Sequence, residues 1–153
     1  MEMPQPGEAH RKLEKLVGSW SGSEKIYPSP FDKDGGTATA RIENRAALGG
    51  FIVVQDYEQQ RNGRVNYSGH GVFWYDATAN QYCMTWFDSM GFPPSVYRGK
   101  FDGDVLTLHN SEPQAMSRAT FNLSRPGHYA FKMEVSTDGS EWFPFMEGDY
   151  QKG

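Results

Sequence analysis

Apolar and polar residues alternate with a period of two along most of this chain. Tyr129, Phe131, Met133 and Val135 fall on one face of a segment whose other face carries His128, Lys132, Glu134 and Ser136. Tyr82, Met84 and Trp86 alternate in the same way with Gln81, Cys83 and Thr85. Turn signals punctuate these runs, so the pattern predicts strands at Ser19–Tyr27, Thr37–Leu48, Phe51–Gln59, Val65–Tyr75 and Gln81–Asp88. Five more follow at Val96–Phe101, Val105–Asn110, Arg118–Leu123, Tyr129–Val135 and Trp142–Tyr150. Asn62-Gly63 suits a type I′ hairpin turn, and Asp102-Gly103 and Asp138-Gly139 are further turn dipeptides. The period changes only in Glu8–Val17, where Leu13, Leu16 and Val17 form a narrow helical stripe that ends at Gly18.

Ten strands joined by short connections leave two long edges if the sheet stays flat. Curling until the first strand pairs with the last removes both. A sandwich has the same alternation but needs Greek-key crossovers, which loops this short do not favour. The expected fold is therefore all-β: a ten-stranded antiparallel up-and-down barrel with a short N-terminal helix. Such a barrel is wide enough for an internal cavity. Apolar residues inside and polar ones outside reverse the pattern of a transmembrane barrel.

Composition agrees with a sheet protein. Hydrophobic residues make up only 37% and aromatics 14%, with 17 glycines among 153 residues. That length suits one domain spanning 1–153, with 1–7 as a flexible terminus, 8–17 as helix and 19–152 as barrel. The amino terminus, MEMPQPGEAHRK, lacks the features of a secretory signal, and no apolar run approaches a membrane span, so a cytoplasmic location is expected. The single Cys83 excludes an internal disulfide and reads as a buried thiol. A net charge of −4 without a basic stripe argues against nucleic acid, including single strands stacked on the aromatic run GVFWYD. No membrane partner is expected, and nothing in the chain specifies an oligomeric state.

The segment Leu16-Val17-Gly18-Ser19-Trp20-Ser21-Gly22, a short helix leading into Gly-x-Trp, resembles the opening of calycin-type barrels. These include lipocalins, fatty-acid-binding proteins and the haem-binding nitrobindins. The resemblance implies that Trp20 plugs the closed end of the barrel. From about His10 to Tyr150 the chain is similar to a bacterial family known as a domain of unknown function (number 1579). The likeness is carried by HRKLEKLVGSW, GGTATARIENRAALGGFIVVQDYEQ, GHGVFWYD, WFDSMG and PFMEGDY. It implies a calycin-like barrel and supplies no catalytic residues.

Candidate chemistry is sparse. None of His10, His70, His109 and His128 sits at a metal-ligand spacing, so no metal site is expected. No cofactor is expected either. Haem is the exception weighed, because the resemblance to nitrobindins points to His109 or His128 as an axial ligand. Alternation puts both on the outer face, and Glu24 stands where the fuller Gly-x-Trp-x-Gly-x-Gly opening has its last glycine. His70 lies between Gly69 and Gly71, where something approaches the backbone or the barrel bends. Asp88 is expected to point inward at the end of its strand. There it either anchors a polar group or caps the Ser89–Gly91 turn.

The favoured function is binding of a small hydrophobic or amphipathic molecule in the barrel interior. Tyr57, Tyr82, Met84, Trp86, Tyr97, Phe101, Phe121, Phe131 and Met133 are the candidate lining residues. Asp88 and Arg98 are candidate polar groups at the mouth, Arg98 only if its end of the strand turns inward. No catalytic residue is assigned. The alternative is an isomerase or hydrolase in the same cavity, with Asp88 or His70 as acid or base. In this reading TWFDSMGFPPSVYRG, residues 85–99, forms the lip of the cavity, its prolines confined to a rim loop.

Overall fold

The computed structural model describes residues 2–30, 32–111 and 115–153. Ten strands form a closed antiparallel barrel in the order β1-β10-β9-β8-β7-β6-β5-β4-β3-β2. They are β1 (Gly18–Ile26), β2 (Gly36–Ala47), β3 (Ile52–Arg61), β4 (Arg64–Asp76) and β5 (Gln81–Asp88). The circuit continues through β6 (Ser95–Asp102), β7 (Val105–Ser111), β8 (Met116–Asn122), β9 (His128–Ser136) and β10 (Phe143–Lys152). Each strand pairs with its neighbour in sequence. Pairing of β1 with β10, from Trp20 opposite Lys152 to Ile26 opposite Met146, closes the ring and leaves no free edge. All ten expected strands are present, and the meander excludes the sandwich.

Asn62 and Gly63 both have positive φ, 54° and 75°, as a type I′ turn requires. Register shifts between Gln59 and Gln60 and between Pro144 and Met146 mark irregularities that bend the wall.

The helix is shorter than its apolar stripe predicts. An α-helical turn over Glu8–Lys12 (α1) tightens into a 3-10 turn over Leu13–Leu16. The reason is tertiary. The Trp20 indole N–H (2.9 Å) and the Asn44 side-chain amide (2.8 Å) both donate to the Leu16 carbonyl, ending the helix there. Leu13 and Leu16 are fully buried, and the Tyr82 hydroxyl donates to the Ala9 carbonyl (2.8 Å). The helix thus seals one end of the barrel, where the Trp20 ring packs edge-on against Tyr129.

The two ends of the lumen differ. Trp20, Ile42, Phe73, Leu106 and Tyr129 face inward near the helix and are buried. At the other end Tyr67, Trp86, Tyr97, Met133 and Met146 also face inward, yet each retains solvent access. Among the described residues one end is therefore packed solid, while the other keeps partial solvent access on rings that pack against the core.

Candidate functional site

The open half of the lumen holds two carboxylates on an aromatic wall. Glu24 follows Trp20 and Gly22 on the inward face of β1 and is only 2% exposed. It accepts from the Tyr57 hydroxyl at 2.7 and 2.6 Å, from the Gln59 amide at 2.8 Å, and from the Tyr150 hydroxyl. Gln59 is in turn oriented by Asn66, whose amide donates to its oxygen at 2.8 Å. The Met146 sulfur lies 3.9 Å from the Tyr57 hydroxyl. Tyr150 can reach Glu24 because its ring lies over Gly148, where a Cβ would come within 2.1 Å of the hydroxyl.

Burial pushes the Tyr57 and Tyr150 phenols far up, and the charge of Glu24 adds to both. The two phenols therefore remain O–H donors throughout the physiological range. No partner of Glu24 is legible locally, since Tyr57, Gln59 and Tyr150 lie 33, 35 and 126 residues away in sequence. Its direction is legible: alternation from Trp20 through Gly22 turns Glu24 inward, a signal hidden when the position is read only as a lost glycine.

Asp88 combines both roles considered for it. Its Oδ1 accepts from the Met90 backbone N–H at 3.0 Å and so holds the Ser89–Gly91 turn. Its Oδ2 accepts from the Tyr67 hydroxyl at 2.8 Å and the Trp86 indole at 3.2 Å inside the lumen. Burial raises the Tyr67 phenol; the Trp86 bond opposes this and Asp88 adds to it. The Tyr57 ring meets those of Tyr67 (5.9 Å between centroids) and Trp86 (6.1 Å), joining the two carboxylate clusters along one wall.

Gly69 and Gly71 explain how Trp86 fits. A Cβ on Gly69 would stand 2.0 Å from the Trp86 ring, and one on Gly71 would stand 3.1 Å from it. The approach expected at these glycines is thus made by a side chain, with the indole lying flat against β4.

Opposite this wall, the Ser117 hydroxyl donates to the Tyr97 hydroxyl at 3.2 Å. Three buried inward amides have an orphan atom: Asn44 Oδ1 at the plugged end, and Gln55 Nε2 and Asn110 Oδ1 further along the lumen, find no partner among the described residues. Around the open end Val65, Met90, Phe92 and Phe143 expose apolar surface.

Ten of the eleven candidate lining residues face inward, though they divide by depth. Trp86, Tyr97 and Met133 are partly exposed and pack against the core, Asp88 lies at the end of β5, and Tyr57 is buried behind them. Tyr82, Phe101, Phe121 and Phe131 pack on one another or on core rings, with Tyr82 against Phe101 and Phe121 against Phe131 and Phe73, and Met84 is buried among them. Arg98 is the correction. It sits on the outer face of β6, where its guanidinium lies over the Trp74 ring and donates to Asp76 at 3.2 Å. Strand β6 keeps its alternation up to the rim, so Tyr97 rather than Arg98 turns inward.

His70 also faces outward, 2.8 Å from Asp56, and is not placed to act in the lumen. It lines an outer groove of about 730 Å³ with Arg41, Glu43, Glu58 and Phe87. His109, against Trp142, and His128, beside Asp149, lie on the outer face as alternation predicts. His10 packs on Phe51 and Tyr75 at the helix end. No histidine is therefore positioned as an axial ligand for haem in the lumen, and no group of three metal-ligating side chains occurs among the described residues. Cys83 is buried on the outer side of β5 beneath Arg98, and burial raises its thiol. No helix among the described residues is long and apolar enough to cross a membrane.

Fold and site together define a calycin-like barrel, plugged at one end by helix and tryptophan and lined toward the other by partly exposed rings with Glu24 and Asp88. Residues 5–152 match the family described as "Protein of unknown function (DUF1579)", and the chain belongs to that family. Among solved structures it is similar to Rv2717c from M. tuberculosis, with a TM-score of 0.70 and 12% identity over 96% of this chain and 98% of that one. It is also similar to the S-type phycobiliprotein lyase CPES from Guillardia theta, with a TM-score of 0.62 and 12% identity over 98% of both chains. At that identity the likeness is one of fold. No curated protein sequence matches the chain.

Proposed function

We propose that the protein binds a small amphipathic molecule in the open half of its barrel, with Trp86, Tyr97 and Met133 against the apolar body and Asp88 at the polar end. The observation that carries this reading is the one-ended lumen. Inward rings and thioethers that keep part of their apolar surface in water leave burial that a ligand covering them gains. Fold likeness to a phycobiliprotein lyase is compatible with such a site and does not specify its ligand. The same reading makes this a cytoplasmic binding protein of bacterial type that engages neither membrane nor nucleic acid and needs no cofactor.

Uptake of the neutral dye Nile red tests it. One dye per chain is expected, displaced by dodecan-1-ol. Ser117→Trp, which fills the lumen, is expected to weaken uptake by about tenfold, close to 1.4 kcal/mol. Phe87→Ala on the outer face is expected to leave it unchanged. Undiminished uptake by Ser117→Trp, or its loss in Phe87→Ala, overturns the proposal.

A further inference from the structure

We infer that the lumen selects an organic cation, a protonated amine carried on an apolar body. The inference rests on the binding reading above and names the ligand's chemistry. Ion pairs on the outside satisfy acids such as Asp32, Asp76 and Glu134, but among the described residues none involves Glu24 or Asp88. Among the described residues the donors to these two are neutral: phenols, an indole, a side-chain amide and one backbone N–H. Among the described residues, the basic side chains on the inward alternation, Arg61 and Lys152, sit at the rims, and others such as Arg98, Arg118 and Lys132 lie on the outer face. Arg61 at the open rim is held by Asp32 and donates to the Gly35 carbonyl at 3.0 Å, and Lys152 at the opposite rim lies over Trp20.

Two acids in a low-dielectric lumen without a counter-charge give it a negative field that an entering cation relieves. The walls suit the same guest. Tyr67, Trp86 and Tyr97 offer ring faces and edges to a cation, and Met133 and Met146 are polarizable. A second, independent observation points to a ligand. Asn110 Oδ1 is a buried acceptor awaiting a donor such as an ammonium N–H, and Gln55 Nε2, beside Gly71 and the Trp86 ring, is a buried donor awaiting an oxygen. Contact falls to Asp88, which is half-buried; Glu24 is covered by its partners and acts through its charge.

The test is displacement of Nile red at pH 7 by three guests with the same chain: dodecylamine, dodecan-1-ol and dodecanoate. Dodecylamine is expected to act at a concentration about tenfold below the alcohol, with dodecanoate weakest. In Asp88→Asn, which keeps the turn acceptor, and separately in Glu24→Gln, the amine-to-alcohol ratio measured within each variant is expected to fall to about threefold or less. Equal displacement by all three guests, preference for dodecanoate, or an unchanged ratio in both variants overturns cation selection while the lumen reading stands. Absence of dye uptake and of any displacement overturns the lumen reading itself.

Discussion

Glu24 and Gly69 are the residues on which the site depends. Glu24→Ala strands two phenols and an amide in a buried setting, and is expected to lower stability by about 2–4 kcal/mol, read from the urea midpoint. Glu24→Gln keeps the shape and most acceptor geometry, and is expected to cost about 1 kcal/mol. A loss for the alanine variant no larger than for glutamine contradicts the network. Gly69→Ala drives a methyl into the Trp86 ring and is expected to cost about 1–3 kcal/mol. In a Trp86→Ala background the same change is expected to be nearly free, and a double-mutant cycle with no coupling contradicts the packing. At this scale alternation gave directions and missed partners. It turned Tyr57, Trp86 and Asp88 inward correctly, while the Glu24 cluster depends on strands that meet only when the barrel closes.

The elements were the most legible level, because turn dipeptides and period-two runs are local signals. The helix shows where locality ends: its stripe ran to Val17, but capture of the Leu16 carbonyl by Trp20 and Asn44 stopped it one residue earlier and tightened its last turn. Leu16→Ala opens a cavity beneath this plug and is expected to cost about 2–5 kcal/mol in thermal or urea unfolding. The connections give a pH dependence. Asp32 is held below its ordinary value of 3.8 mainly by Arg61, and Asp76 and Asp138 mainly by backbone N–H groups of their own turns. A carboxyl whose folded pKa is depressed adds stability that is complete above the unfolded value and is lost as pH falls through the folded one. The urea midpoint is therefore expected to fall below about pH 4, and to fall less in Asp138→Asn. An acid limb identical in that variant contradicts the assignment of Asp138.

At the scale of the whole molecule, closure of the ring follows from strand number and loop length, so the architecture was legible. Which part of the lumen is filled was not, because it depends on where the helix docks and how the rings stack. The side chains of the candidate lining set other than Arg98 face inward but lie at different depths. Tyr82 and Phe101 belong to the plugged half, and Trp86, Tyr97 and Asp88 to the open half. The claim that joins these levels is that the open half is a binding site. A crystal structure of the protein grown with whichever of dodecylamine and dodecan-1-ol displaces Nile red at the lower concentration tests it most directly. The expected result is an alkyl chain between Trp86, Tyr97 and Met133 with its polar end at Asp88. A guest seated only in the outer groove beside His70 and Phe87, with the lumen rings closed upon one another, contradicts the account.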